Sequence, residues 1–163
     1  MFKINDWISQ DSKVLDLGCG DGSLLNELRK EKSASGLGIE IDSEKIKSCL
    51  EKGISVIEQD IDSGLENFGN QSFDYVVMSQ SIQALKKPEE ALDEIVRIGK
   101  ECIVSIPNFA NIKCRFQLFF KGKMPVSSAL PHDWFSTPNL HLCSLEDFEE
   151  LCKKSNIAII ERK

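Results

Sequence analysis

The chain has 163 residues, of which 41% are hydrophobic and 28% charged, and a formal net charge of −6. That length supports one domain with a proper core, expected to run 1–163, and is short for two. The acidic balance argues against non-specific nucleic-acid binding, which needs many phosphate-neutralising cations, and no apolar run approaches a membrane-spanning length. The opening MFKINDWISQD lacks the basic-then-apolar layout of a signal peptide, so a cytoplasmic setting is expected. Six cysteines are scattered without a C-x-x-C pair, and read as free buried thiols rather than a disulfide scaffold.

Taken in chain order, KVLDL (13–17) is a short apolar run ending in a turn, as a buried strand should be. Leu24, Leu25 and Leu28 then follow helical spacing. SGLGIE (35–40) predicts a second strand, and Asp42 or Ser43 can cap a helix carrying Ile46, Cys49 and Leu50, stopped by Gly53. ISVIEQD (54–60) predicts a third strand and SFDYVVMS (72–79) a fourth. Pro88 suits the first turn of a helix whose apolar face is Ala91, Leu92, Ile95 and Val96, with Gly99 as its stop. ECIVSIP (101–107) predicts a fifth strand. Ser144 and Asp147 then form a capping-box pattern opening a helix with Leu145, Phe148, Leu151 and Cys152 inward. IAIIE (157–161) predicts a sixth strand. Strand and helix alternate throughout, which predicts an α/β three-layer sandwich: a doubly wound, mainly parallel sheet with helices on both faces. Ligands in such sheets bind at the carboxyl ends of the strands, near the switch point beside the first.

VLDLGCGDG (14–22) occupies that place. A Walker loop would need Lys-Ser or Lys-Thr after the glycines, and none follows. A dinucleotide fingerprint would read G-x-G-x-x-G, whereas Gly18, Gly20 and Gly22 give G-x-G-x-G, with Asp16 just before them and Asp21 among them. A pyrophosphate is anionic and would be repelled by those carboxylates. S-adenosylmethionine has no phosphate and brings a sulfonium and an ammonium, both suited to acidic surroundings. Glu40, at the end of the second strand, can accept from ribose hydroxyls; Asp60, at the end of the third, can accept from the adenine amino group, with Ile61 offering a backbone N–H and an apolar face. The expected cofactor-binding set is Asp16, Gly18, Cys19, Gly20, Asp21, Gly22, Glu40, Ile41, Asp60, Ile61, Ser79 and Gln80, holding S-adenosylmethionine or S-adenosylhomocysteine. A dinucleotide and a purely structural turn are the competing readings.

VLDLGCGDG, GIEID, VIEQDID and FDYVVMSQSIQAL resemble the class I methyltransferase fold, a Rossmann-like architecture. With IVSIPNFANIKCRFQL, GKMPVS, ALPHDW, TPNLHLC and DFEELC, the chain closely resembles the MetW family over nearly its whole length. The resemblance implies a role in methionine biosynthesis beside a homoserine O-acyltransferase, whose activity the protein would support or regulate. The alternative is an active S-adenosylmethionine-dependent methyltransferase acting on a small anionic metabolite. The fold normally continues to a sixth strand and an antiparallel seventh. This sequence stops at Lys163, so the final strand is expected to be missing and the open edge to favour a homodimer or a frayed C-terminus.

The residues for chemistry are less well marked. SQSIQAL after the fourth strand offers Ser79, Gln80, Ser81 and Gln83, which are poor proton acceptors, and N-P-P-[YF] is absent. His132, Asp133 and His141 are the remaining catalytic candidates, and loop or packing roles for them are the competing reading. His141-x-Cys143 supplies only two metal ligands, so no metal site is expected. From Cys102 to His132 the chain carries Lys113, Arg115, Lys121 and Lys123 and no acid, interleaved with phenylalanines. Residues 107–143, after the fifth strand, are aromatic and basic, and the resemblance implies that they are a family-specific insertion. Either its aromatics join the core, or they form a lid or a docking surface.

Overall fold

The computed structural model describes residues 4–127 and 130–162. After a 3-10 turn at Ile4–Trp7, five strands and five helices follow: β1 (Lys13–Leu17), α1 (Ser23–Lys32), β2 (Ser35–Glu40), α2 (Ser43–Glu51), β3 (Ser55–Glu58), β4 (Phe73–Ser79), α3 (Pro88–Ile98), β5 (Gly99–Ser105), α4 (Ile112–Lys121) and α5 (Leu145–Lys154). The described strands form one sheet in the order β3-β2-β1-β4-β5, and every pairing is parallel.

Period-two alternation divides the core between the two faces. Leu15, Leu17, Val76 and Met78 point to one side, where Leu92, Ile95 and Ile98 of α3 cover them and Phe148 and Leu151 of α5 pack alongside. Val14, Tyr75, Val77 and Ile103 point to the other, under Leu25 and Leu28 of α1 and Cys49 of α2. Parallel strands buried on both faces need this two-sided cover.

Local chemistry sets the helix starts. Asp42 caps α2 by accepting from Glu44 and Lys45 N–H, Pro88 opens α3 at its first turn, and Ser144 with Asp147 closes a reciprocal capping box on α5. Three apolar positions assigned inward lie outward instead: Leu50, Val96 and Leu145 are exposed. Each sits at the margin of its helix stripe, and on α3 the fourth buried position is Ile98, which continues the spacing from Ala91 and Ile95.

The predicted sixth strand does not form: residues 157–161 have no ladder partner, and β5 is the edge of the sheet. Ile157 packs against the core beside α5, but Ile159 and Ile160 are exposed. Apolar β-branched composition alone does not make a strand, even with the β5 edge open.

The α3 assignment has a direct test. Ile95→Ala removes a side chain of zero exposure and should cost about 2–5 kcal/mol, whereas Val96→Ala, one residue on, should cost less than about 1 kcal/mol. Urea unfolding of the two variants checks the contrast, and equal losses would contradict the packing.

Candidate functional site

β1 lies at the centre of the sheet, and its carboxyl end opens into the glycine loop where the strand order reverses between β1 and β4. Gly18, Gly20 and Gly22 all have positive φ. Gly18 (φ +76°) lies so close to the segment after β4 that a Cβ would stand 3.0 Å from that of Ser81, whose hydroxyl donates to the Leu17 carbonyl at 2.9 Å. Gly20 (φ +58°) differs: a Cβ there would meet nothing within 4 Å. Its backbone therefore borders open space, a surface that another molecule can approach closely.

Glu40 holds that loop in place. Its Oε2 accepts from Gly20 N–H at 2.9 Å, and its Oε1 accepts from Ile41 at 2.9 Å and Asp42 at 3.1 Å. A carboxylate has about four acceptor positions, so three are filled and the fourth lies on Oε2. One acceptor site on Glu40 therefore remains open beside Gly20. Ile41, the next residue, is 61% exposed and presents an apolar side chain there.

Asp16 is the unusual group. It is 2% exposed, pairs in register with Gly38 of β2 and Val77 of β4, and its carboxyl forms no hydrogen bond among the described residues. Burial, and secondarily the charge of Glu40, push its pKa up from the ordinary 3.8 to about 7. Cys19 fills the space that Gly38 leaves, since a Cβ on Gly38 would overlap its Sγ. Burial and the neighbouring Cys49 push the Cys19 thiol well above its ordinary value, which makes it a packing residue and a poor nucleophile.

Asp21, also in the expected cofactor-binding set, is engaged by Lys52 and Ser23. Lys52 Nζ binds its Oδ2 and donates to its carbonyl at 2.8 Å. Ser23 N–H and Oγ also donate to the Asp21 carboxylate, at 3.2 and 2.8 Å. The bonds to Lys52 and Ser23 hold the Asp21 carboxyl down at about 2. It therefore serves the start of α1, where Gly22 has no side chain to cap with. Lys52 lies 31 residues away at the end of α2, too far for any local pattern to pair the two.

Around the rest of the rim, Asp60 spends one oxygen on Asp62 N–H at 3.0 Å, and Ile61 is half-buried against the core. Ser79 shares a hydroxyl contact with Ser105 at 3.1 Å. Gln80 is held at φ +54° by Ser105, whose carbonyl accepts its N–H at 2.9 Å. Gln83 was read only as a poor proton acceptor, yet it ties this rim together. Its backbone carbonyl accepts the N–H groups of Leu140 and His141 at 2.9 and 3.0 Å, and its side-chain amide Nε2 donates to the Gln80 backbone carbonyl at 2.7 Å. That places the backbone of His141 beside the end of β4, with the side chain exposed. His132 and Asp133 are exposed on the loop between α4 and α5, and no contact brings them to the glycine loop. Among the described residues no cluster of three His, Cys, Asp or Glu side chains is placed to hold a metal.

The aromatics of the 107–143 segment do not join the core. α4 buries Cys114, while Phe116, Phe119 and Phe120 are exposed, as are Trp134 and Phe135. Amphipathic spacing was legible in the sequence; which side of the helix would face the body was not.

A five-stranded parallel sheet with a glycine loop after β1 and a carboxylate ending β2 is the class I methyltransferase fold. Solved structures agree: the chain superposes with TM-score 0.71 on a Haloferax volcanii structure described as a complex of the Trm112 methyltransferase activator and the putative methyltransferase, at 20% identity over 94% of this chain and 65% of that one. A Thermotoga maritima structure described as an S-adenosylmethionine-dependent methyltransferase matches at TM-score 0.67 and 22% identity, over 92% and 66% of the two chains. Within that class the chain belongs to the MetW family: the family model described as "Methionine biosynthesis protein MetW" matches residues 1–163. A relative from Rhodopirellula baltica, "Bifunctional methionine biosynthesis protein MetXA/MetW", is 34% identical over 94% of this chain and 26% of its own length. "Ubiquinone biosynthesis O-methyltransferase" of Erwinia tasmaniensis is 27% identical over 63% of this chain and 48% of that protein. The chain thus spans about a quarter and about a half of these two relatives' lengths.

The elevated Asp16 pKa makes stability depend on pH. Between the ordinary 3.8 and about 7 the folded chain holds a proton that the unfolded chain has lost. That contribution is fully present below about 3.8, declines progressively as pH rises, and is gone once pH has passed about 7. Without ligand, Asp16→Asn should be less destabilised than the parent by a change from pH 6 to pH 8.5. Glu40→Gln should move the parent's inflection downward, because it removes a neighbouring negative charge. Urea midpoints measure both, and parallel profiles for parent and Asp16→Asn would contradict the assignment.

Proposed function

We propose that the crevice at the carboxyl ends of β1, β2 and β4 binds S-adenosylmethionine or S-adenosylhomocysteine, and that the protein supports or regulates a homoserine O-acyltransferase of methionine biosynthesis. The observation that carries the first half is Asp16: a buried carboxyl with no hydrogen-bond partner among the described residues, beside a glycine backbone bordering open space. A buried carboxylate without a partner is costly, and a cation relieves that cost whereas a pyrophosphate adds to it. The residues fit the ligand in other respects too. Glu40 Oε2 has an acceptor site for one ribose hydroxyl, Asp60 retains one oxygen for an amino group, and Ile41 and Ile61 supply apolar flanks.

When bound, S-adenosylmethionine supplies a sulfonium with an electrophilic methyl group. The protein's own contribution is to position that group, with Ser79 and Gln80 at the rim and Asp16 balancing positive charge. The second half of the reading rests on the family's place in methionine biosynthesis and on the bifunctional relative that joins MetXA and MetW in one chain. A ligand that binds the partnered and free forms with different affinity would tune the acyltransferase by linkage. The backbone anchoring of His141 beside β4 supports the alternative, methyl transfer to a small anionic metabolite. Labelled methyl transfer to a small molecule, with no change in acyltransferase rate on adding this protein, would decide for that alternative.

Calorimetric titration tests the site. Affinity for S-adenosylmethionine should rise up to about tenfold per pH unit below pH 7 and level off above it, since the cation binds the ionised form of Asp16. An anionic dinucleotide should show the reverse trend. Asp16→Asn should bind S-adenosylmethionine more than tenfold more weakly at pH 7.5. Unchanged affinity in that variant would remove Asp16 from the site.

A further inference from the structure

α4 packs on the rest of the molecule through one buried residue, Cys114, and turns its apolar stripe outward. Ile112, Phe116, Phe119 and Phe120 recur at helical spacing and are 64%, 55%, 82% and 70% exposed. Their rings hold one another: Phe116 stacks on Phe120 at 5.6 Å, and Phe119 meets Phe120 edge-on at 4.9 Å. Between this stripe and Val126 runs a groove walled by Phe116 and Phe120 and flanked by Lys113 and Lys121. Soluble chains seldom leave such a surface open unless something covers it, and rings already packed together lose little side-chain freedom on binding.

Charge indicates the kind of occupant. Lys113, Lys121 and Lys123 form no ion pair among the described residues, and no acid lies between Cys102 and His132, although the whole chain carries −6. An extended anionic membrane would meet the acidic remainder of the molecule as well as this patch. A protein surface docks within the patch alone, where charges beyond roughly a Debye length, about 8 Å at physiological salt, are screened. The concave shape likewise suits an inserted side chain.

We propose that the outward face of α4 is the docking surface for the acyltransferase, which would present an apolar side chain or helix edge rimmed by Asp or Glu. This rests on the association read from the family and from the bifunctional relative, and adds the surface through which it occurs. Phe116 and Phe120 are the anchors; Lys113 and Lys121 steer the encounter.

The test uses the full chain and the separately purified acyltransferase, with binding measured by biolayer interferometry at two salt concentrations. A Phe116→Ser/Phe120→Ser double variant should bind at least tenfold more weakly. Lys113→Glu/Lys121→Glu should lower the association rate and its salt dependence. Both variants change exposed positions and should keep the parent's circular dichroism and its affinity for S-adenosylmethionine. Parent binding that both variants match would overturn the α4 surface while leaving the association intact. An absence of binding by the parent itself would overturn both. If the parent binds phosphatidylserine vesicles and the Phe variant does not, while acyltransferase binding is equal in the two, the face belongs to a membrane and the proposal fails.

Discussion

Glu40 ends β2 with its carboxylate turned onto the loop that follows β1, where it gathers the N–H groups of Gly20, Ile41 and Asp42. Charge-assisted bonds of this kind contribute about 1.5–3 kcal/mol each, and here they fix the distance between two adjacent strand ends. The glycine loop could take many conformations by itself; Glu40, together with the Ile39 carbonyl that accepts from Gly18 and Cys19, selects one. The same charge lies near Asp16 and, with burial, makes ionisation of that carboxyl expensive. One side chain thus shapes the cradle and leaves its neighbour short of positive charge.

The two aspartates of the glycine loop consequently do opposite things. Asp21 has Lys52 and the start of α1, and its charge is already balanced. Asp16 has a carboxylate, Glu40, for a charged neighbour and is buried, so near neutral pH it is only partly ionised, and a bound cation would complete its ionisation. A ligand site built on this pair would discriminate by charge, favouring a cation over an anion of similar size, and would couple occupancy to protonation near neutral pH. A link between an occupied site and a partner would pass through the segments that share its rim, and the strap anchored by Gln83 runs from there toward α5.

The strand ends were legible because they rest on local signals. KVLDL and SGLGIE coincide with β1 and β2, and the Ser144–Asp147 capping box closes as its spacing indicates. The position of Glu40 and Asp16 beside the glycine loop was legible because strand ends in doubly wound sheets converge. What escaped the sequence depends on distant partners. The Asp21–Lys52 pair spans 31 residues, the Gln83 carbonyl bonds to residues 140 and 141, and the orientation of α4 is decided by what it packs against. The 157–161 segment has strand composition, but neither strand nor partner is assigned by composition alone.

The central claim is that a buried, unpaired Asp16 awaits a cationic ligand. Isothermal calorimetry at pH 6.5, repeated in buffers of different ionisation enthalpy, counts the protons exchanged when S-adenosylmethionine binds. The account predicts release of a substantial fraction of one proton by the parent and none by Asp16→Asn. Binding by the parent with no proton released, or with the same release in the variant, would contradict it.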